Sequence, residues 1–121
     1  MLPLITPASE VEATPIGAAK NTSMQVLIPP SAADNFIMRR ITIKAGGSMP
    51  NHTNSVEHEQ YVLSGSAEVG IGDKMYQAKQ DDVLLIPAGV PHWYKASADE
   101  DYIFLCLIPN KKDIITLVDA S

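Results

Sequence analysis

Cysteine is almost missing. Cys106 stands alone in 121 residues, so no disulfide can close within the chain, and a reducing compartment is expected. No apolar run is long enough to cross a bilayer as a helix. The opening stretch, MLPLITPASE, has neither a basic segment nor a long apolar one, so no secretory leader is expected and a cytoplasmic location is the default. Positive charge is also in deficit. Nine Lys and Arg face fourteen Asp and Glu, a net charge of −5, which argues against nucleic acid or an anionic membrane surface as partner. A sustained 3.6-residue apolar period is lacking, which leaves little room for amphipathic helices.

What is present is a chain of globular composition, 45% apolar, and of single-domain length. A domain of this size buries roughly two-thirds of the surface its unfolded chain exposes. Residues 1–23, with Pro3, Pro7, Pro15 and Gly17, read as an irregular arm holding at most one short extended piece. Short strands follow. MQVLI (24–28) stops at Pro29-Pro30, and FIMRRITIK (36–44) is expected to end at Ala45-Gly46-Gly47. A strand over 52–63 breaks near Ser55. Ser66–Ile71 alternates Ala67, Val69 and Ile71 with Ser66, Glu68 and Gly70, the pattern of a half-buried strand. Lys74–Ala78, Val83–Ile86, His92–Lys95 and Tyr102–Ile108 complete the set, and residues 113–121 read as a polar tail with one apolar piece, Ile114–Val118. Many short strands between Gly, Pro and Asp turns indicate an all-β sandwich or barrel.

The three histidines have informative positions. His52, Asn54 and His58 share parity, so an extended segment points all three to one face. His92 shares its strand face with Tyr94. The stretch around the first two resembles the first cupin motif: Gly46, five residues, His52-Thr53-Asn54, three residues, His58, six residues, Gly65. The second stretch resembles the other cupin motif: Asp81, five residues, Pro87-Ala88-Gly89, two residues, His92, three residues, Ala96. Asn54 stands where a second histidine is expected, His58 where a glutamate is, and Asp81 and Ala96 replace the outer Gly and Asn. His58 in that place, with NFIMR, EHE, YVLSG and FLCLIP, is similar to the small four-histidine metal-binding cupins of thermophilic bacteria and archaea.

The resemblance covers residues 24–112 and implies a small jelly-roll barrel. It also implies one divalent transition metal per chain (Mn, Fe, Cu, Ni or Zn), held by His52, His58 and His92. Asn54 is either a fourth ligand through its amide oxygen or a partner of bound water. Imidazole suits zinc, copper, iron and nickel and does not select among them. Three neutral ligands would leave a divalent ion its full charge and open positions. In the resembling group the face carrying Phe104 and Cys106 looks into the metal pocket, so Phe104, Cys106 and Tyr94 are pocket candidates. By parity Glu57 and Glu59 point away from His58. One of Arg39 and Arg40 lines the pocket and the other the surface, an alternative the sequence leaves open.

Function follows only in outline. A metal-dependent oxygenase (a dioxygenase) acting on a small organic substrate is the first expectation. A non-catalytic binding or sensing barrel, or a non-redox isomerase or lyase, is the alternative. The strands 83–86 and 102–107 are apolar on both faces. A monomer would leave one set wet unless the amino-terminal arm covers it within the chain, and of the two a homodimer is expected.

Overall fold

The computed structural model describes residues 2–118. One 3-10 turn, Ala8–Glu10, precedes ten strands: β1 (Ala13–Pro15), β2 (Lys20–Ile28), β3 (Phe36–Asn54), β4 (His58–Ser64), β5 (Ser66–Ile71), β6 (Lys74–Lys79), β7 (Val83–Ile86), β8 (His92–Ala96), β9 (Tyr102–Pro109) and β10 (Ile115–Leu117). All pairings are antiparallel. No helix among the described residues is long and apolar enough to cross a membrane.

The long strand β3 organises the barrel. Its first half lies between β2 and β9, with Ile41 opposite both Met24 and Phe104. Its second half lies between β8 and β10, with His52 opposite both His92 and Leu117. The first half belongs to the layer β1-β2-β3-β9-β4-β7, and the second to the layer β6-β5-β8-β3-β10. One bent strand thus carries the chain from one wall of the jelly roll to the other.

This differs from the expectation that the strand ends at Ala45-Gly46-Gly47. Gly46 takes φ +74, which bends the strand without ending it. At Gly47 an added Cβ would lie 2.7 Å from the Lys20 carbonyl oxygen and 2.9 Å from that of Lys44, so only glycine lets the neighbouring backbones close there. Strand β2 also starts at Lys20, earlier than the expected Met24. The apolar piece in the carboxy-terminal segment becomes β10, because Ile115, Thr116 and Leu117 find the free edge of β3 at Asn54, Thr53 and His52.

Alternation decides what faces inward. On β9 Tyr102, Phe104, Cys106 and Ile108 are buried, and on β4 His58, Gln60 and Val62 are. Their neighbours Ile103, Leu105, Leu107, Glu59 and Tyr61 face outward and are partly or fully exposed. The core is closed by Ile43, Val62, Val69, Tyr94, Tyr102 and Phe104, each essentially inaccessible. Asp81 holds the left-handed conformation (φ 73) that glycine usually supplies at such a turn. Its N–H donates to the Val62 carbonyl at 2.9 Å, and its carboxylate accepts from the Tyr61 hydroxyl at 2.9 Å.

Candidate functional site

Two histidines meet across β3 and β8. His52 and His92 occupy paired positions, and their ring centroids are 4.1 Å apart. Each is held from behind by a carbonyl two residues earlier in the chain. His52 Nδ1 lies 2.8 Å from the Pro50 oxygen, and His92 Nδ1 lies 3.0 Å from the Val90 oxygen. A carbonyl only accepts, so both Nδ1 atoms carry the proton and both Nε2 atoms present a lone pair. Burial holds the pKa of His92 down to about 4, so this ring is neutral at physiological pH.

His58, across the barrel on β4, is held in the other tautomer. Its Nδ1 faces Arg39 Nη2 at 3.5 Å and Cys106 Sγ at 3.3 Å. Arginine can only donate, so Nδ1 accepts, and Nε2–H donates to Asp113 Oδ2 at 3.1 Å. Burial lowers the pKa of His58 and the Arg39 charge lowers it further, while the bond to Asp113 works in the opposite direction.

Asn54 shares the same carboxylate. Its Nδ2 donates to Asp113 Oδ2 at 3.0 Å, while its Oδ1 is buried without a partner among the described residues. Asp113 is fixed in turn by the Ser55 N–H, which reaches its Oδ1 at 3.1 Å. The Ile114 N–H donates to Ser55 Oγ at 2.7 Å, and the Val118 N–H to the Asn51 carbonyl at 2.9 Å, so the carboxy-terminal segment is zipped to β3 beside the site. Sequence reasoning missed Asp113. The only hint was the short β-branched piece that follows it.

The remaining candidates sort by strand face. Tyr94 and Phe104 line the pocket and stack, with centroids 5.3 Å apart. Tyr94 accepts from Gln60 Nε2 at 2.7 Å, and burial raises the pKa of its hydroxyl. Cys106 lies behind His58, and burial raises its thiol pKa against the pull of Arg39. Arg39 faces inward. Arg40 faces away and donates from Nε to Gln25 Oε1 at 2.8 Å. Glu57 and Glu59 are exposed, outside the site.

Arg39 is unusual in its partners. Nη1 approaches Met24 Sδ at 3.7 Å and Nη2 approaches Cys106 Sγ at 3.3 Å, while Nε is buried with no partner among the described residues. Among the described residues, none of its hydrogen-bond contacts is to an oxygen atom. The cavity it lines, of about 140 Å³, is otherwise mostly apolar, with Ile41, Met49 and Phe104 in the walls and Ile16, Ile115 and Leu117 also contributing.

Among the described residues, no three His, Cys, Asp or Glu side chains already converge on one point as metal ligands do. The donor chemistry nevertheless fits an ion. Two adjacent imidazoles with free Nε2 lone pairs line the cavity, and a third imidazole lies near, its centroid 6.2 Å from that of His92. Among the described residues the buried Asn54 Oδ1 lacks a partner, an orphaned acceptor that a cation or a water bound to one would satisfy.

Comparison with known proteins places the fold. Over its whole length the chain resembles the polyketide cyclase RemF from Streptomyces resistomycificus, with a TM-score of 0.88 and 28% identity, covering 88% of that chain. A cupin 2 conserved barrel domain protein from Rhodopseudomonas palustris gives a TM-score of 0.83 at 20% identity, covering 99% of this chain and 88% of that one. Acireductone dioxygenase from Cronobacter sakazakii is 26% identical over 80 residues, 63% of this chain and 44% of the relative. The chain therefore spans less than half the length of that curated relative. Residues 39–108, more than half of the chain, match the cupin domain family (Cupin_2), and this protein is a member of it.

Proposed function

We propose that this cupin is a metal-dependent enzyme, in the first reading an oxygenase, acting on a small and largely apolar substrate that carries one acidic oxygen. The observation that carries the reading is the pair of Nε2 lone pairs on His52 and His92, aimed by backbone carbonyls into an apolar cavity. His52, His92 and His58 would hold one divalent transition ion, His58 after exchanging its present bond to Asp113. Such an ion supplies Lewis acidity and, where it is redox-active, electron transfer.

The chain's own residues supply binding and orientation. A cavity of about 140 Å³ is close to the size that takes a single aromatic ring. Tyr94 and Phe104 offer ring faces to such a group. The Arg39 guanidinium, whose donors meet only sulfur and imidazole, would exchange weak contacts for charge-assisted bonds to a carboxylate or enolate oxygen. The apolar walls exclude water around that contact and so strengthen it.

A second reading, non-redox carbon–carbon chemistry on a carbonyl compound, is favoured by the whole-length likeness to a polyketide cyclase. One experiment separates the two. Protein purified without added metal is analysed for its elements, then loaded in turn with iron, manganese, copper, nickel and zinc. Each form is offered a panel of enolic and aryl compounds with and without dioxygen. The oxygenase reading expects dioxygen uptake above that of free metal in solution, absent in the zinc form. Conversion by the zinc form without dioxygen supports the second reading. No conversion by any form, beside a firmly held ion, leaves only a binding barrel.

A further inference from the structure

The carboxylate of Asp113 has no assigned task. It reaches the site from a segment beyond the matched cupin residues 39–108. Its side chain is only 10% exposed, and His58 is its one ion-pair partner among the described residues. An imidazole is a poor permanent counter-ion for a carboxylate taken out of water. The Arg39 guanidinium, the fixed cation nearest in the network, lies on the opposite side of the His58 ring.

The geometry around Asp113 is that of a positioned donor. Ser55 N–H fixes Oδ1, and Asn54 Nδ2 together with His58 Nε2 fix Oδ2. Pairing of β10 with β3 limits where the carboxylate can go, because the chain on both sides of it is tied to Ser55, Asn54 and Asn51. Two ligands about 2.0–2.2 Å from one ion and at right angles to each other lie about 3 Å apart. The His58 Nε2 to Asp113 Oδ2 distance is 3.1 Å. The pair already has the span of adjacent ligands, and an ion held by both would sit to one side of the line the proton now occupies.

We propose that Asp113 is a carboxylate ligand of the metal centre, delivered by the carboxy-terminal strand and steered by the Asn54 amide. The inference rests on the metal-binding reading above. On binding, His58 changes tautomer: Nε2 gives up its proton to solvent and Nδ1 takes one up, facing Cys106 Sγ, so the ring stays neutral and no net proton is released. Asn54 then serves the centre through Nδ2, by aiming Asp113. The centre becomes three imidazoles and one carboxylate, so one unit of the ion's charge is offset and a hard oxygen donor joins three nitrogens.

The test uses the full chain and cobalt(II), with affinity measured by chelator competition and coordination by visible absorption. Wild type is expected to bind one cobalt ion. Asp113→Asn is expected to bind it at least tenfold more weakly and with a shifted absorption band, while Asp113→Glu stays within a few-fold of wild type. Equal affinity and an unchanged band in Asp113→Asn overturn the inference and leave the metal reading standing. Weaker binding with an unchanged band also overturns it, because Asp113 would then act only from outside the ligand set. Wild type that binds no cobalt overturns both. Should Asp113→Asn fail to fold, the infrared difference spectrum of wild type on cobalt addition decides. A shifted carboxylate stretch supports the ligand, and an unperturbed carboxylate region overturns it.

Discussion

His52 and His92 stand opposite each other on β3 and β8, and each donates its Nδ1 proton to a carbonyl two residues before it. Both rings are thereby locked with the lone pair inward. Removing either ring removes an already oriented lone pair that the proposed metal site depends on. His52→Ala and His92→Ala are each expected to abolish stoichiometric binding of cobalt or zinc. An ion at a thousandfold excess over its dissociation constant stabilises the native state by about 4 kcal/mol. A chelator should therefore lower the melting temperature of metal-loaded wild type by several degrees and leave both variants unmoved. Full occupancy in His92→Ala would exclude this site.

Acid should weaken the metal-free fold in a defined window. The His92 ring has its pKa lowered to about 4 by burial, against 6.5 as its ordinary value. Between those values the unfolded chain takes up a proton that the native chain refuses, so stability falls as pH falls. The contribution is intact above about pH 6.5 and lost progressively toward pH 4, at most about 3 kcal/mol. Urea unfolding of chelated protein at pH 7, 5.5 and 4.5 measures it. His92→Gln should flatten the profile; an equally steep profile in that variant would assign the effect to other groups.

Tyr94 and Gln60 form a buried polar pair at 2.7 Å, and Gln60 Oε1 already lacks a partner. Tyr94→Phe keeps the ring stacked on Phe104 but leaves the Gln60 amide N–H without its acceptor. Stranding a buried donor costs about 1–3 kcal/mol. The melting temperature should fall by several degrees, and Tyr94→Phe combined with Gln60→Leu should recover part of the loss. A double variant no more stable than the single would mean that the pair is not what is being measured.

Much of this barrel is legible in strand periodicity. Parity along β3 puts His52 and Asn54 on the inner face, and parity along β9 does the same for Phe104 and Cys106; His58 is buried too, but on β4, beyond a break at 55–57 that parity does not cross. The period-two rule carries these placements because each side chain's face depends only on its own strand. The continuity of β3 through Gly46 and Gly47 is not legible, because glycine pairs read as a stop until the crossing backbone at Lys20 is known. Arg39 and Arg40 are adjacent and chemically alike, so only the phase of β3 against β9 separates them. Asp113 is one carboxylate in a polar stretch, and its partners Asn54 and His58 lie 59 and 55 residues away. No local pattern reports a contact of that range.

Arg39 is expected to select ligands by charge. Benzoate and benzamide differ little in shape but differ by one negative charge, and both suit a cavity of single-ring size. Metal-loaded wild type should bind benzoate at least tenfold more tightly than benzamide by calorimetry, and Arg39→Met should lose that preference while keeping its metal. A wild type that does not discriminate would remove Arg39 from the binding role.

The last expectation concerns the outer face of β9, β4 and β7. Leu107 lies opposite Glu59, which lies opposite Leu85, and Leu105 lies opposite Tyr61, which lies opposite Val83. Val83 is 74% exposed and Leu85 58%, with Tyr61 and Leu107 also open to solvent. The amino-terminal segment does not take this face; Leu4, Ile5 and Val11 gather instead near Leu27, Ile28 and Met38. An uncovered apolar sheet face on a chain this small is a surface for association, and a closed two-fold pairing buries the same patch on both copies. A stable pairing needs roughly 800 Å² from each copy, which a three-strand face with its rim can supply. Light scattering after size exclusion should therefore give the mass of two chains at micromolar concentration. Leu85→Glu with Val83→Lys should give one chain with the barrel's circular dichroism retained, since both side chains point to solvent in the single chain. A wild type that runs as one chain at 100 μM, or a double variant that stays paired, would mean that this face is not where two copies meet.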